Sequence, residues 1–192
     1  MVFAVAGMVF GFVLGYMVAN WDSGPRAVPA PAAVTAPASG AAPAAHGAPA
    51  SALDPNEVKA LESLAARDRS NLAARIELGN LLMDHSRFDE AARWYREALA
   101  LEPRQPDVLV DLGACLVNGG KAAEGLVEFE KALKQDPNHK KALFNKGIAL
   151  METGETAAAV VVWEGLLKRF PDDPQLQGLR MQIERVKGGR AS

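Results

Sequence analysis

Three consecutive stretches decide the fold. They are LAARIELGNLLMDHSRFDEAARWYREALALEPRQ (Leu72–Gln105), PDVLVDLGACLVNGGKAAEGLVEFEKALKQDPNH (Pro106–His139) and KKALFNKGIALMETGETAAAVVVWEGLLKRFPDD (Lys140–Asp173). Laid under one another they align without a gap. Gly79, Gly113 and Gly147 form one column, and Leu82, Leu116 and Leu150 a second. Tyr95, Phe129 and Trp163 form a third, and Pro103, Pro137 and Pro171 a fourth, every step being 34 residues. Four columns holding one period over three copies make an internal repeat. Within each copy apolar residues recur at three and four, a turn falls around Ser86, Gly120 or Gly154, and the proline ends the second segment. Each copy therefore reads as helix, turn, helix. A glycine inside a helix costs about 1 kcal/mol against alanine. That loss is offset if the second helix comes close at Gly79, Gly113 and Gly147, with the aromatic column filling the gap between neighbouring units. Cys115 shares a column with Ala149, a small interior position, and reads as a packed thiol.

Working outward, both ends read as caps. Asp54-Pro55-Asn56-Glu57 places a carboxylate, then proline, then glutamate where a helix starts. Leu61 and Leu64 fall one period before Tyr95 and Ala98, so this helix mimics the second half of a unit. After Asp173, Leu176, Leu179, Ile183 and Val186 form an apolar stripe. Gln175, Gln177, Arg180, Glu184 and Lys187 fall on the other side, as a solenoid end requires for solubility.

This pattern resembles the tetratricopeptide repeat family. The family's small residue opening the second helix stands here as Ala91, Gly125 and Ala159, and its later small column as Ala98 and Ala132, with Leu166 departing. Its first-helix leucine stands as Leu78 and Leu112, with Lys146 in the third unit, and Arg75 stands where Trp or Leu is preferred. The resemblance implies an all-α, right-handed solenoid of helical hairpins over 53–192. It has repeats at 72–105, 106–139 and 140–173, a half-repeat N-cap helix and a capping helix at 174–187. It also implies a groove lined by the first helices, with Ile76, Val110 and Phe144 in one row. Asn80, Ala114 and Ile148 make the next row, Met83, Val117 and Met151 the third, and Lys141 rims the entry with Asp107. Such a groove is mostly apolar, with adaptable methionines, and suits a peptide or amphipathic helix of a partner protein. The family's clamp for terminal carboxylates finds Asn80 and Lys141 in place. Ile76 replaces a clamp lysine and Asp111 stands where an amide is wanted, so an anionic tail is repelled.

The chain before residue 53 has different physics. Of its charged residues only Asp22 and Arg26 occur there. Met1–Ala19 has neither charge nor proline and, as a helix, reaches roughly 28 Å, about the hydrocarbon thickness. Tyr16 and Trp21 follow where an aromatic belt belongs, so residues 1–21 read as a transmembrane helix in contact with the lipid bilayer. A cleaved signal peptide would want a basic start, which is missing. Gly7, Gly11 and Gly15 share one helix face and allow a second helix to approach. Residues 22–52, rich in alanine and proline, bury too little to fold and read as a disordered linker.

Several function classes drop out. A net charge of −2 and pI near 5.9 give no nucleic-acid footprint. One cysteine gives no disulfide framework and no cysteine zinc site. His46, His85 and His139 lack ligand spacing, so no metal or other cofactor is expected; His85 and His139 read as solvated. Asp172-Asp173 reads as helix-start chemistry, and no set of nucleophile, base and stabiliser marks an enzyme. What remains is a membrane-tethered protein-binding adaptor or scaffold. Its layout resembles envelope tetratricopeptide proteins, including those of cytochrome c maturation. That resemblance implies a bacterial inner-membrane protein with its repeats in the periplasm. The rival is a structural role, a homo-oligomer formed through the glycine-striped helix and stacked repeats.

Overall fold

Ser86, Gly120 and Gly154 mark the turns inside the three hairpins, and Pro103, Pro137 and Pro171 each follow the end of a second helix. The structure is a computed structural model and describes residues 52–188. The expected membrane span with Gly7, Gly11 and Gly15, and all but the last residue of the expected linker, lie outside the described residues. Among the described residues no helix is long and apolar enough to cross a membrane.

The described residues form eight α-helices and no strand. They are α1 (Pro55–Arg67), α2 (Leu72–Asp84), α3 (Phe88–Leu101), α4 (Pro106–Asn118), α5 (Ala122–Gln135), α6 (Lys140–Glu152), α7 (Thr156–Arg169) and α8 (Gln177–Gly188). Local chemistry sets the boundaries. Asp54 caps α1 by accepting from the Asn56 amide at 2.8 Å, with Pro55 at the first turn. Asn71 caps α2 by accepting from the Ala74 amide at 2.9 Å. The three hairpin turns share one left-handed residue per unit: Ser86 at φ 59°, Gly120 at 78° and Gly154 at 84°. This is a conformation that costs glycine little. Before α8 the chain makes a 3₁₀ turn at Pro174–Leu176, capped by Asp173 accepting from the Gln175 amide at 2.9 Å. The capping element is thus a turn followed by a helix.

Within each hairpin the glycine column has a single cause. A Cβ on Gly79 would come within 2.5 Å of the Tyr95 ring, and one on Gly113 within 2.5 Å of the Phe129 ring. On Gly147 it would run into the Trp163 indole. Each aromatic ring therefore lies on the glycine of its own hairpin. Tyr95 also belongs to a core cluster with Val108, Leu112 and Cys115 of the following unit, so one side chain serves both contacts. Tyr95, Phe129 and Trp163 are fully buried.

Every helix packs on the next in sequence, and the first helices also touch one another, α2 with α4 and α4 with α6. The second helices α3, α5 and α7 make no comparable approach. The described residues form an all-helical, tetratricopeptide-like solenoid in which first helices crowd together and second helices splay apart.

One expectation changes at the edges. Leu64 does not take the buried place its column suggests; it is 48% exposed. Leu61 and Ala65 close the N-terminal end against Ala74 and Leu78 instead, because small Ala65 allows the closer contact. At the other end Leu176, Leu179 and Ile183 are buried as the stripe requires.

Candidate protein-binding surfaces

The first-helix face gathers the ten groove residues on three adjacent helices, with α4 touching both α2 and α6. Crowding divides them. Val110, Ala114, Phe144 and Ile148 are buried, whereas Ile76, Asn80, Met83, Val117, Lys141 and Met151 keep part of their surface. Several are held by neighbours. The Tyr95 hydroxyl donates to Asn80 Oδ1 at 2.7 Å and lies 4.0 Å from Met83 Sδ. The Trp163 Nε1–H donates to the Phe144 carbonyl at 2.9 Å, with ring centroids 6.4 Å apart. This fixes Phe144 at the end of its row.

The electrostatics of this face centre on one ion pair. Lys141 Nζ lies 2.9 Å from Asp111 Oδ1, with side-chain exposures of 15% and 8%. Repulsion by Asp111 was the sequence expectation for an anionic tail; the structure shows that Asp111 also takes up the lysine that such a tail would use. Cys115, one turn beyond Asp111, is buried. Burial pushes its thiol up to about 12, the Asp111 carboxylate adds to the rise, and Lys141 opposes it. It is no nucleophile at neutral pH. One period after Asp111, Asn145 is buried with its Nδ2 lacking a hydrogen-bond partner.

The two outlying columns also find partners. Arg75, buried in the place of the family's tryptophan, donates to the Asn71 carbonyl at 2.8 Å and the Ala65 carbonyl at 3.4 Å, and pairs with Glu97 at 3.5 Å. Lys146, in the leucine column, reaches Glu130 at 2.9 Å. His139 is not a solvated loop residue. Its Nδ1 accepts from the Ala142 amide at 3.2 Å, capping α6, while Nε2 faces Asp107 Oδ1 at 3.0 Å. Histidine is an uncommon cap, which is why composition gave no hint of the role.

The seams between units hold contacts that sequence reading missed. Gln135 Nε2 donates to the Pro103 carbonyl at 3.0 Å, and the Arg169 guanidinium to the Pro137 carbonyl at 2.7 Å. Gln135 and Arg169 share a column, so a long donor recurring 32 residues after each proline was the available signal. Lys140 lies 2.6 Å from Asp173 and holds that carboxyl below the usual carboxylate range. Among the described residues no group of His, Cys, Asp and Glu could hold a metal ion.

Comparison with known proteins gives the same class of fold. Residues 69–180 match the family model described as the cilia and flagella-associated protein 70 middle TPR-like domain. The chain belongs to that family. Among solved structures, the crystal structure of MamA is similar at a TM-score of 0.63 with 16% identity, covering 70% of this chain and 77% of MamA. The first TPR of Spaghetti (RPAP3) bound to the HSP90 peptide SRMEEVD is similar at 0.58 with 18% identity, covering 65% of this chain and 97% of that one. The first TPR domain of human RPAP3, determined by NMR, is similar at 0.57 with 18% identity, covering 62% and 94%. At these identities the likeness is one of fold. No curated protein sequence matches. TPR-like solenoids are in general protein-interaction modules and not enzymes.

Proposed function

We propose that this chain is a membrane-tethered adaptor whose first-helix face receives an apolar or amphipathic segment of a partner protein. The carrying observation is the surface left open there. Asn80, Met83, Val117 and Met151 stay partly exposed around a floor of buried aliphatic and aromatic side chains, and Lys141 is neutralised by Asp111. A surface without a free cation at that point favours neutral ligands over terminal carboxylates. The RPAP3 neighbour, solved with a bound peptide, supports peptide binding as a use of such a fold, and its peptide SRMEEVD marks the contrast, being acidic toward its end. Ile76 and the Lys141–Asp111 pair direct this face elsewhere. Tethering rests on the uncharged Met1–Ala19 stretch and the alanine- and proline-rich spacer after it. The same layout supports a bacterial envelope setting with periplasmic repeats and a role in protein assembly such as cytochrome c maturation.

The test is a pull-down of the full-length chain from detergent-solubilised membranes, comparing wild type with a Met83→Glu, Met151→Glu variant. Both methionines are only half-buried, and retention of helix by circular dichroism shows that the variant is folded. Loss of a specific protein, identified by mass spectrometry, is the expected result. Retention of every partner by the folded variant overturns the first-helix reading.

A further inference from the structure

The splayed second helices leave clefts on the opposite side of the solenoid, and one differs from its neighbour in charge. Between α3 and α5 lies a cavity of about 630 Å³. Its floor is apolar, formed by Leu109 and Leu112 of α4, with Leu99 and Ala100 on the α3 wall. Arg96, Lys131 and Lys134 line it, against one carboxylate, Glu128. Glu128 is taken up by Lys131 at 2.8 Å, Arg96 reaches Glu124 only at 3.7 Å, and Lys134 makes no ion pair among the described residues. The lining is thus cationic in a chain whose net charge is −2. The adjacent cleft, between α1 and α3, has a volume of about 510 Å³ and shares Ala100 as wall. There Glu62 and Glu97 balance Arg69 and Arg75. The excess of positive charge is a property of one cleft and not of the whole face.

The geometry points to the α3–α5 cleft as a second docking site, for an acidic amphipathic segment of a partner protein. The cavity falls in the size range of ligand-binding clefts, about 300–1,000 Å³. Apolar side chains of the segment lie on Leu99, Leu109 and Leu112, and its carboxylates meet Lys134 first, then Arg96 and Lys131. Lys134 leads because its ammonium gives up no internal partner on binding, whereas the other two exchange one carboxylate for another. Gln135, tied to the Pro103 carbonyl, joins the α3 and α5 walls of the cleft. The site stands apart from the first-helix face, so the two readings fail separately.

The experiment selects displayed random peptides of about 12 residues on the full-length chain in non-ionic detergent. The expected outcome is a set of peptides rich in Asp and Glu with at least two large apolar residues. Their affinity should fall at least about tenfold in Lys131→Glu, Lys134→Glu, and a similar amount in Ala100→Trp, which fills the cleft. All three positions are exposed, so the variants should fold as wild type does. Met83→Glu, Met151→Glu should bind these peptides unchanged. Selected peptides without acidic enrichment overturn the proposal, as do acidic peptides indifferent to the charge reversals. Phosphatidylglycerol retained from mixed detergent micelles through Lys131 and Lys134, with no peptide recovered, overturns it in favour of a lipid surface.

Discussion

The insides of the three hairpins are nearly identical, while the seams between hairpins differ at each junction. Inside, the same device recurs: a glycine against an aromatic ring, Gly79 with Tyr95, Gly113 with Phe129, Gly147 with Trp163. At the seams, one junction closes with Gln135 on the Pro103 carbonyl, and the next with Arg169 on the Pro137 carbonyl. Asp111–Lys141 is a buried ion pair at one seam, whereas one period later Asn145 stands in the aspartate column with its amide nitrogen unpartnered. The difference follows from geometry. A hairpin must bring two helices of its own unit together over a short turn, and all three units meet that approach with a glycine against a ring. A seam is a contact between surfaces, and several polar pairings satisfy it at similar cost. Repetition therefore marks what the unit needs, and variation marks where one junction can acquire its own chemistry.

The largest expected effect breaks a seam. Lys141→Ala removes the cation paired with the buried Asp111 carboxylate and should cost about 3 kcal/mol of unfolding free energy, read by urea denaturation. Asp111→Leu combined with Lys141→Met removes both charges and should recover most of that loss. A double variant as unstable as the single one would show that shape, and not charge, makes this seam. Next comes the hairpin interior. Gly113→Ala places a methyl within 2.5 Å of the Phe129 ring and should cost about 2 kcal/mol, since a buried ring has nowhere to move. The same substitution at Gly165 of α7, where an added Cβ meets nothing within 4 Å, should raise stability by about 1 kcal/mol through helix propensity. Equal signs at the two sites would break the distinction between a glycine required by packing and one that is incidental.

This contrast also explains what could be read from the sequence. The hairpins were legible because their constraint repeats: Gly79, Gly113 and Gly147 stand at a fixed spacing, and the turn column Ser86, Gly120 and Gly154 does too. The seams were poorly legible because each uses different residue types. Nothing in the sequence separates a His139 that caps α6 from a solvated one, or marks Lys141 as the partner of Asp111, 30 residues earlier. The groove columns were legible as positions on first helices, but not their accessibility. Val110 and Phe144 belong to the same face as Met83 and Met151, yet crowding of α4 between its neighbours buries them. The cationic cleft was invisible for a related reason: it is made by the spacing of α3 and α5, not by any run of basic residues.

The smallest expected effect reports on the central seam through pH. In the folded chain the Cys115 thiol is pushed up to about 12, chiefly by burial and then by the Asp111 carboxylate, while the unfolded thiol titrates near 9.0. Below the unfolded value both states hold the proton and the shift has no consequence for pH dependence. As pH rises above it, the unfolded chain releases the proton and the folded chain retains it, so unfolding is progressively favoured until the folded thiol also ionises. At about pH 10 this one group should reduce stability by about 1 kcal/mol relative to about pH 8. Cys115→Ala, matching Ala149 of the next unit, removes that component. Its denaturation midpoint should therefore fall less on the alkaline side than that of wild type, even if it starts lower because of the lost sulfur. Parallel curves for the two proteins would mean that the thiol titrates as freely folded as unfolded. The α4–α6 seam would then open to water on the timescale of titration, and the ion pair beside it would have to be treated as a surface contact worth little.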